Sequence, residues 1–187
     1  MLIYEKATAD WTLGWTALGG IKFPTGDSSK LNTPDSALPA GIGGHDIALG
    51  SGSYDGLIGT GFSARWKRIF LDGQMQYAIR TEGDFRHQYA NDWSWVGGPG
   101  VYVALKDNYT ISLQAAVSGE SKGKDTFGGM ADGDSAERIV YLGPEIRFTW
   151  SENFNAHVGA DLPVSRANSG EQLMPNYRVH AAMTWQF

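Results

Sequence analysis

The chain ends in Tyr177-Arg178-Val179-His180-Ala181-Ala182-Met183-Thr184-Trp185-Gln186-Phe187, in which Tyr177, Val179, Ala181, Met183, Trp185 and Phe187 alternate with Arg178, His180, Ala182, Thr184 and Gln186. Successive side chains of a β-strand point to opposite faces. The segment therefore reads as a strand with one apolar and one polar face. Upstream, Phe154, Ala156, Val158, Ala160, Leu162 and Val164 alternate with Asn155, His157, Gly159, Asp161, Pro163 and Ser165 in the same way.

The period-2 pattern carries back through six more segments. These are Trp11–Phe23, Tyr54–Trp66, Ile69–Arg80, Trp93–Leu105, Tyr109–Ser118 and Val140–Trp150. Gly97, Gly98, Pro99 and Gly100 blur the alternation of the fourth strand, and a proline there predicts a bulge or bend. The links alternate in length. Trp66-Lys67-Arg68-Ile69, Leu105-Lys106-Asp107-Asn108-Tyr109 and Trp150-Ser151-Glu152-Asn153-Phe154 are tight turns, whereas residues 24–53, 82–92, 120–136 and 168–174 are longer and rich in Gly, Ser, Asp and Asn. With Trp66 opposite Ile69, Leu105 opposite Tyr109 and Trp150 opposite Phe154, apolar face meets apolar face along all three hairpins. A one-residue slip would destroy that match. The expected fold is all-β: a single domain over residues 1–187, an antiparallel up-and-down barrel of about eight strands, with 1–9 as an N-terminal extension and 24–53 as a long outer loop.

Composition narrows the setting. Glycine supplies 25 of 187 residues, well above the usual ~7%, and each interior glycine costs a helix about 1 kcal/mol relative to alanine. A helical bundle is disfavoured. The longest stretch free of Asp, Glu, Lys and Arg runs from Trp93 to Leu105, short of the ~20 residues a spanning helix needs. The net charge of −5 argues against a nucleic-acid partner, which calls for a basic face. With no cysteine there is neither a disulfide framework nor a Cys-based zinc site.

Two architectures share the alternation: a soluble barrel with its apolar face inward, and a transmembrane barrel with that face toward lipid. The strands run about 11–14 residues, longer than the globular mode and sufficient for a tilted span. Trp66, Tyr109, Trp150, Phe154, Trp185 and Phe187 gather at the short-turn end, as an interfacial girdle would. Short turns on one side and long loops on the other fit periplasmic and extracellular ends. The mean hydropathy of −0.29 is compatible with walls that are apolar on one face only. The expectation is an integral protein of the bacterial outer membrane, its partners the lipid bilayer and, through the strand ending in Phe187, the barrel-assembly machinery.

Gly20-Ile21-Lys22-Phe23-Pro24-Thr25-Gly26-Asp27, followed by Leu49-Gly50-Ser51-Gly52-Ser53-Tyr54-Asp55-Gly56-Leu57, resembles the outer-membrane family of the putative MetA pathway of phenol degradation. That family pairs a G-x-K-[LF]-P-T-G-[DN] strand end with an L-G-[ST]-G-S-x-D strand start. The likeness covers Gly20 to about Arg80 and is looser beyond. It implies passage of small hydrophobic or aromatic solutes across the outer membrane. It also implies strands and a signal peptide ahead of the present Met1, so the chain is expected to be N-terminally truncated. The alternative is a closed outer-membrane barrel acting as a surface anchor or interaction module through its loops.

On this reading Lys22, Asp55, Arg65, Asp72, Gln74, Gln76, Arg80, Gln114, Glu145, Arg147, His157, Asp161, Arg178 and His180 line the interior as pore or plug. Asp55 should face Arg80 and Arg147 should face His157. Their mixed signs imply no ion selectivity. If the last link turns near Glu171, His180 lies near Asp161 and His157 sits about five residues lower, roughly 15 Å away at ~3.3 Å per residue. The two histidines would then not share a metal, and no metal or cofactor is expected. His180 and Asp161 could orient a base for a serine nucleophile, but no serine is placed beside them, so no catalytic residue and no enzyme is expected. His45 and His87 read as solvated loop residues. Asp125, Asp132 and Asp134 with Gly128, Gly129 and Gly133 do not match an EF-hand, and their segment reads as a flexible polar loop.

Overall fold

The computed structural model describes residues 2–33, 44–133, 135–168 and 175–187. Residues 34–43, Asp134, residues 169–174 and the side chain of His45 lie outside the described set, so the expectations on them are not addressed. Nine strands form one antiparallel sheet: β1 (Leu2–Ala7), β2 (Trp11–Lys22), β3 (Asp55–Trp66), β4 (Ile69–Ile79), β6 (Asp92–Leu105), β7 (Tyr109–Lys122), β10 (Glu137–Trp150), β11 (Phe154–Asn168) and β12 (Arg178–Trp185), neighbouring in that order. Three short strands from the long loops, β5 (His87–Gln88), β8 (Thr126–Phe127) and β9 (Met130–Ala131), make a separate small sheet. A single turn of helix, α1 (Gly44–Ile47), lies in the 24–53 connection.

All eight segments of alternating sequence are strands. The ninth comes from the stretch expected to be an extension: Leu2–Ala7 pairs along β2, with Tyr4 opposite Trp15 and Ala7 opposite Thr12. Six residues are too few for alternation to stand out, and Tyr4 finds its aromatic partner only once β2 is in place. Among the described residues β1 and β12 each carry one ladder and form the two ends of the sheet.

The tight turns keep the register that apolar matching requires. Trp66 pairs with Ile69 and Trp150 with Phe154. At the β6–β7 turn, however, Leu105 pairs with Thr110 rather than Tyr109, and a bulge between Tyr102 and Ala104 restores the expected register above it. The bulge thus sits nearer the turn than the proline does. At Gly98, which has φ +146°, a Cβ would lie 2.1 Å from the Ala115 carbonyl oxygen, a close approach only glycine permits. Lys67 at φ 53° and Ser151 at φ 50° close two of the turns in the left-handed region, which hairpin turns demand and non-glycine residues adopt at a cost. The Lys67 amide donates to the Asp10 carbonyl, Ser151 to Asn108 and Gln186 to Asn153, so neighbouring turns are tied together.

The sheet is curled hard enough for strands three ladders apart to touch: Asp72 on β4 meets Arg147 on β10 at 2.5 Å. Its two faces are inverted relative to a water-soluble core. Asp55, Ser112, Gln114, Glu145 and Asp161 are buried, while Leu13, Phe62, Leu71, Met75, Leu113, Leu142, Ile146, Val158 and Leu162 are exposed. Apolar burial on the inner face is confined to a few residues, among them Phe70, Ile139 and Tyr141.

The aromatic residues of the short-turn end lie in register. Trp11 stacks on Trp66 with ring centroids 6.1 Å apart, and Phe154 sits 6.2 Å from Phe148 and 5.7 Å from Trp185. Tyr109 pairs with Trp150 across the β7–β10 ladder. Trp11 and Phe148 join the expected set, and Phe187 lies fully exposed just past β12.

Candidate functional site

The polar groups form two tiers on the inner face and a third cluster in the long loops. At the long-loop end, Asp55 opens β3 and is 1% exposed. Its Oδ2 accepts from Lys22 Nζ at 2.8 Å and from Arg80 at 3.2 Å, and its Oδ1 from Ser53 Oγ at 2.8 Å and the Thr81 amide at 3.1 Å. Lys22 also donates to Ser51 Oγ at 2.5 Å, and Arg80 holds Asp92 at 2.6 Å. This clasp explains why the two motif halves go together. The strand-end lysine and the S-x-S-x-D of the strand start form one hydrogen-bonded unit.

The motif glycines serve the same closure. A Cβ on Gly26 would stand 2.3 Å from the Leu49 carbonyl oxygen, and one on Gly50 2.5 Å from that of Gly26. Gly26→Ala is accordingly expected to displace the loop from the clasp and cost about 1–3 kcal/mol, the range for overpacking; urea unfolding of the variant beside the parent checks it. In the same loop the Ser29 amide donates to Asp27 Oδ1 at 2.8 Å and holds this exposed carboxyl below its ordinary pKa. Sequence reading singled out Lys22, Asp55 and Arg80 but missed Ser51, Ser53 and Asp92. Asp92, at the end of the 82–92 link, begins β6 and is buried on its polar side.

In the middle tier Asp72 accepts from Arg147 on β10 and from Gln114 Nε2 on β7, each at 2.5 Å. Arg147 also holds Glu145. Glu145 Oε2 lies 3.0 Å from His180 Nε2, and His180 Nδ1 lies 3.4 Å from Asp161 Oδ2. Arg178 completes the chain: it pairs with Asp161 at 2.7 Å, donates to Ser118 Oγ at 2.5 Å, and lies 4.3 Å over the Tyr141 ring.

One expectation fails here. His157 and His180 are neighbours, with ring centroids 5.8 Å apart, not 15 Å. The β11–β12 ladder sets His180 opposite Gly159 and Arg178 opposite Asp161, a register about three residues lower on β11 than a turn near Glu171 would give. Arg147 pairs with His157, which brings His157 into the same group.

Two cavities flank this tier. One of about 800 Å³ is bordered by Gln74, Gln76, Tyr141, Glu145 and His180. The other, of about 570 Å³, lies toward the short turns and is bordered by Arg65, Tyr102, Thr110 and Asn155. Arg65 sits 5.6 Å over the Tyr102 ring. Asp72, Arg147 and His157 border both spaces, so the Asp72–Arg147 bridge stands between them.

The loop tier also differs from expectation. Residues 120–136 are organised around a buried carboxylate: Asp125, 1% exposed, accepts from the Ala90 amide at 2.7 Å and from Lys122 at 2.9 Å, and its amide donates to Ser135 Oγ at 2.8 Å. His87, expected to be solvated, is buried with its ring 4.6 Å from that of Tyr89. The β5–β8 pairing, with His87 opposite Phe127, draws it in.

No protein family, characterised protein or solved structure matches the chain.

Proposed function

We propose that the chain is the wall of an outer-membrane β-barrel that passes or binds small hydrophobic or aromatic solutes. The observation that carries this reading is the inversion of its faces: large apolar side chains stand exposed along the wall while Asp55, Gln114, Glu145 and Asp161 are buried within. In water, an apolar surface this extensive marks a site of membrane or partner contact. In lipid it is the ordinary outer face of a barrel. In the large sheet β2, β3, β4, β6, β7, β10 and β11, of 11 to 15 residues, are long enough to cross, and a row of Trp11, Trp66, Trp150 and Trp185 suits an interfacial girdle. The G-x-K-x-P-T-G and L-G-S-G-S-x-D segments favour aromatic solutes through the family they resemble. The short turns then face the periplasm, the long loops the outside, and the Phe187 end the assembly machinery. The polar interior offers groups for a solute path.

A second reading has its own support. The Asp72–Arg147 bridge lies between the two inner cavities, as a plug would, and a barrel of about this size is readily filled by its own side chains. A plugged wall with structured loops is a surface anchor. Conductance in planar bilayers, paired with aromatic-solute entry into proteoliposomes, separates the two. Solute entry is expected in the parent, and Asp72→Ala should raise ionic conductance several-fold by joining the cavities. A bilayer that stays sealed at all voltages, with no solute entry by parent or variant, sinks the passage reading and leaves the anchor.

A further inference from the structure

We propose that Glu145, His157 and His180 form a binding site for a divalent transition-metal ion of the zinc type. Three adjacent strands supply them: Glu145 from β10, His157 from β11 and His180 from β12. One ligand atom from each lies within 4.8 Å of the others, so modest side-chain adjustment closes the set around a single ion.

The backbone is shaped for this convergence. Gly159 lies between Glu145 and His180 in the ladder, paired with both. A Cβ at Gly159 would stand 2.5 Å from His180 Nε2. The missing side chain is the space through which the imidazole reaches Glu145. Any other residue at that position would push the ring off the carboxylate.

The partners of His180 point the same way. A neutral imidazole carries one N–H and one lone pair, yet both of its nitrogens face carboxylates: Nδ1 toward Asp161 at 3.4 Å and Nε2 toward Glu145 at 3.0 Å. With the proton on Nδ1, on the side of Asp161, the Nε2 lone pair faces the Glu145 oxygen, a repulsion that a metal ion bound to both atoms relieves. Carboxylate–histidine–metal chains have this form, the outer carboxylate fixing the tautomer and orienting the ring. Arg147 engages the other oxygen of Glu145, which leaves Oε2 as its single ligand atom.

Two imidazole nitrogens and one carboxylate oxygen suit Zn²⁺, and also Co²⁺, Ni²⁺ or Cu²⁺, rather than Ca²⁺ or Mg²⁺, which prefer all-oxygen shells. The three residues border the cavity of about 800 Å³. A fourth position on the ion therefore opens into that space, as in zinc sites that keep one place for water or a small ligand. The site does not depend on what crosses the wall, and it holds whether the barrel is open or plugged.

The test uses the untagged chain of residues 1–187, folded in detergent and stripped of metal. Titration with Zn²⁺ followed by calorimetry should show one ion per chain, with Ca²⁺ and Mg²⁺ giving no comparable binding. Asp161→Asn should weaken Zn²⁺ about 10–100-fold, the usual effect of losing an outer carboxylate, and His157→Ala or His180→Ala should weaken it at least as much. His87→Ala should leave it unchanged. Because a variant can fail to fold, a second readout uses the parent alone: bound Cu²⁺ should show imidazole nitrogen coupling in its electron paramagnetic resonance spectrum. Absence of stoichiometric Zn²⁺ binding, binding indifferent to both histidine variants, or a Cu²⁺ spectrum without nitrogen coupling would overturn the proposal. In that event His180 serves only to link Glu145 and Asp161.

Discussion

Asp55→Ala should lower unfolding stability by about 3 kcal/mol, the low end of the range for removing one partner of a buried ion pair. Four donors converge on this carboxylate, from Lys22, Arg80, Ser53 and the Thr81 amide, and the side chain has no exposure. Alanine would leave all four facing a void, with two of them charged. The low end is appropriate because Lys22 is 34% exposed and can turn to water, and Arg80, at 25%, keeps Asp92. Lys22→Met should cost distinctly less, since Asp55 then retains Arg80. Urea unfolding in one detergent at one pH reads the three proteins side by side. A loss below about 1 kcal/mol for Asp55→Ala would mean that the clasp is ornamental and that the long loop is held elsewhere.

The second large effect follows from the proposed setting of the wall. Leu113 is 44% exposed on the outer face and lies mid-strand, opposite Ile146 and Val101. An arginine there should cost about 2–4 kcal/mol if the position sits at the bilayer midplane. Ile69, 55% exposed beside the Lys67 turn, is the depth control, with an expected cost of about 0–1 kcal/mol near the interface. Both side chains are already accessible, so in water neither substitution would desolvate a charge, and both would be close to neutral. Unfolding from lipid vesicles should therefore show a graded penalty. Equal, negligible costs at the two positions would refute the lipid-facing wall.

Much of the fold was legible because alternation is a local signal. The eight long strands, the pairing of Trp66 with Ile69 and the polarity of each face all follow from side chains two residues apart. What escaped was set by partners distant in sequence. The β6–β7 bulge falls beside Tyr102, whose ring lies 5.1 Å from that of Phe70 on β4, and nothing in the β6 sequence declares it. The β11–β12 register was unreadable because no apolar match fixes it: alanines at 156, 160, 181 and 182 tolerate several offsets. That offset mattered, since it decides whether His157 and His180 are neighbours. The order in the 120–136 loop was hidden for a similar reason. Asp125 looks like any loop acid until Ala90, Lys122 and Ser135 are brought around it.

The strand count bears on how such a wall can complete itself. In a sheet whose neighbours all run antiparallel, alternate strands share a direction, so β1 and β12, first and ninth in the order, point the same way. Joining them edge to edge would create a parallel seam, with evenly spaced, slanted hydrogen bonds in place of the antiparallel pairs found elsewhere. An antiparallel seam needs an even number of strands: either β1 peels away and β12 takes its place against β2, or one further strand stands between them. The six residues of β1 thus decide whether the two ends of the sheet run parallel or antiparallel to each other.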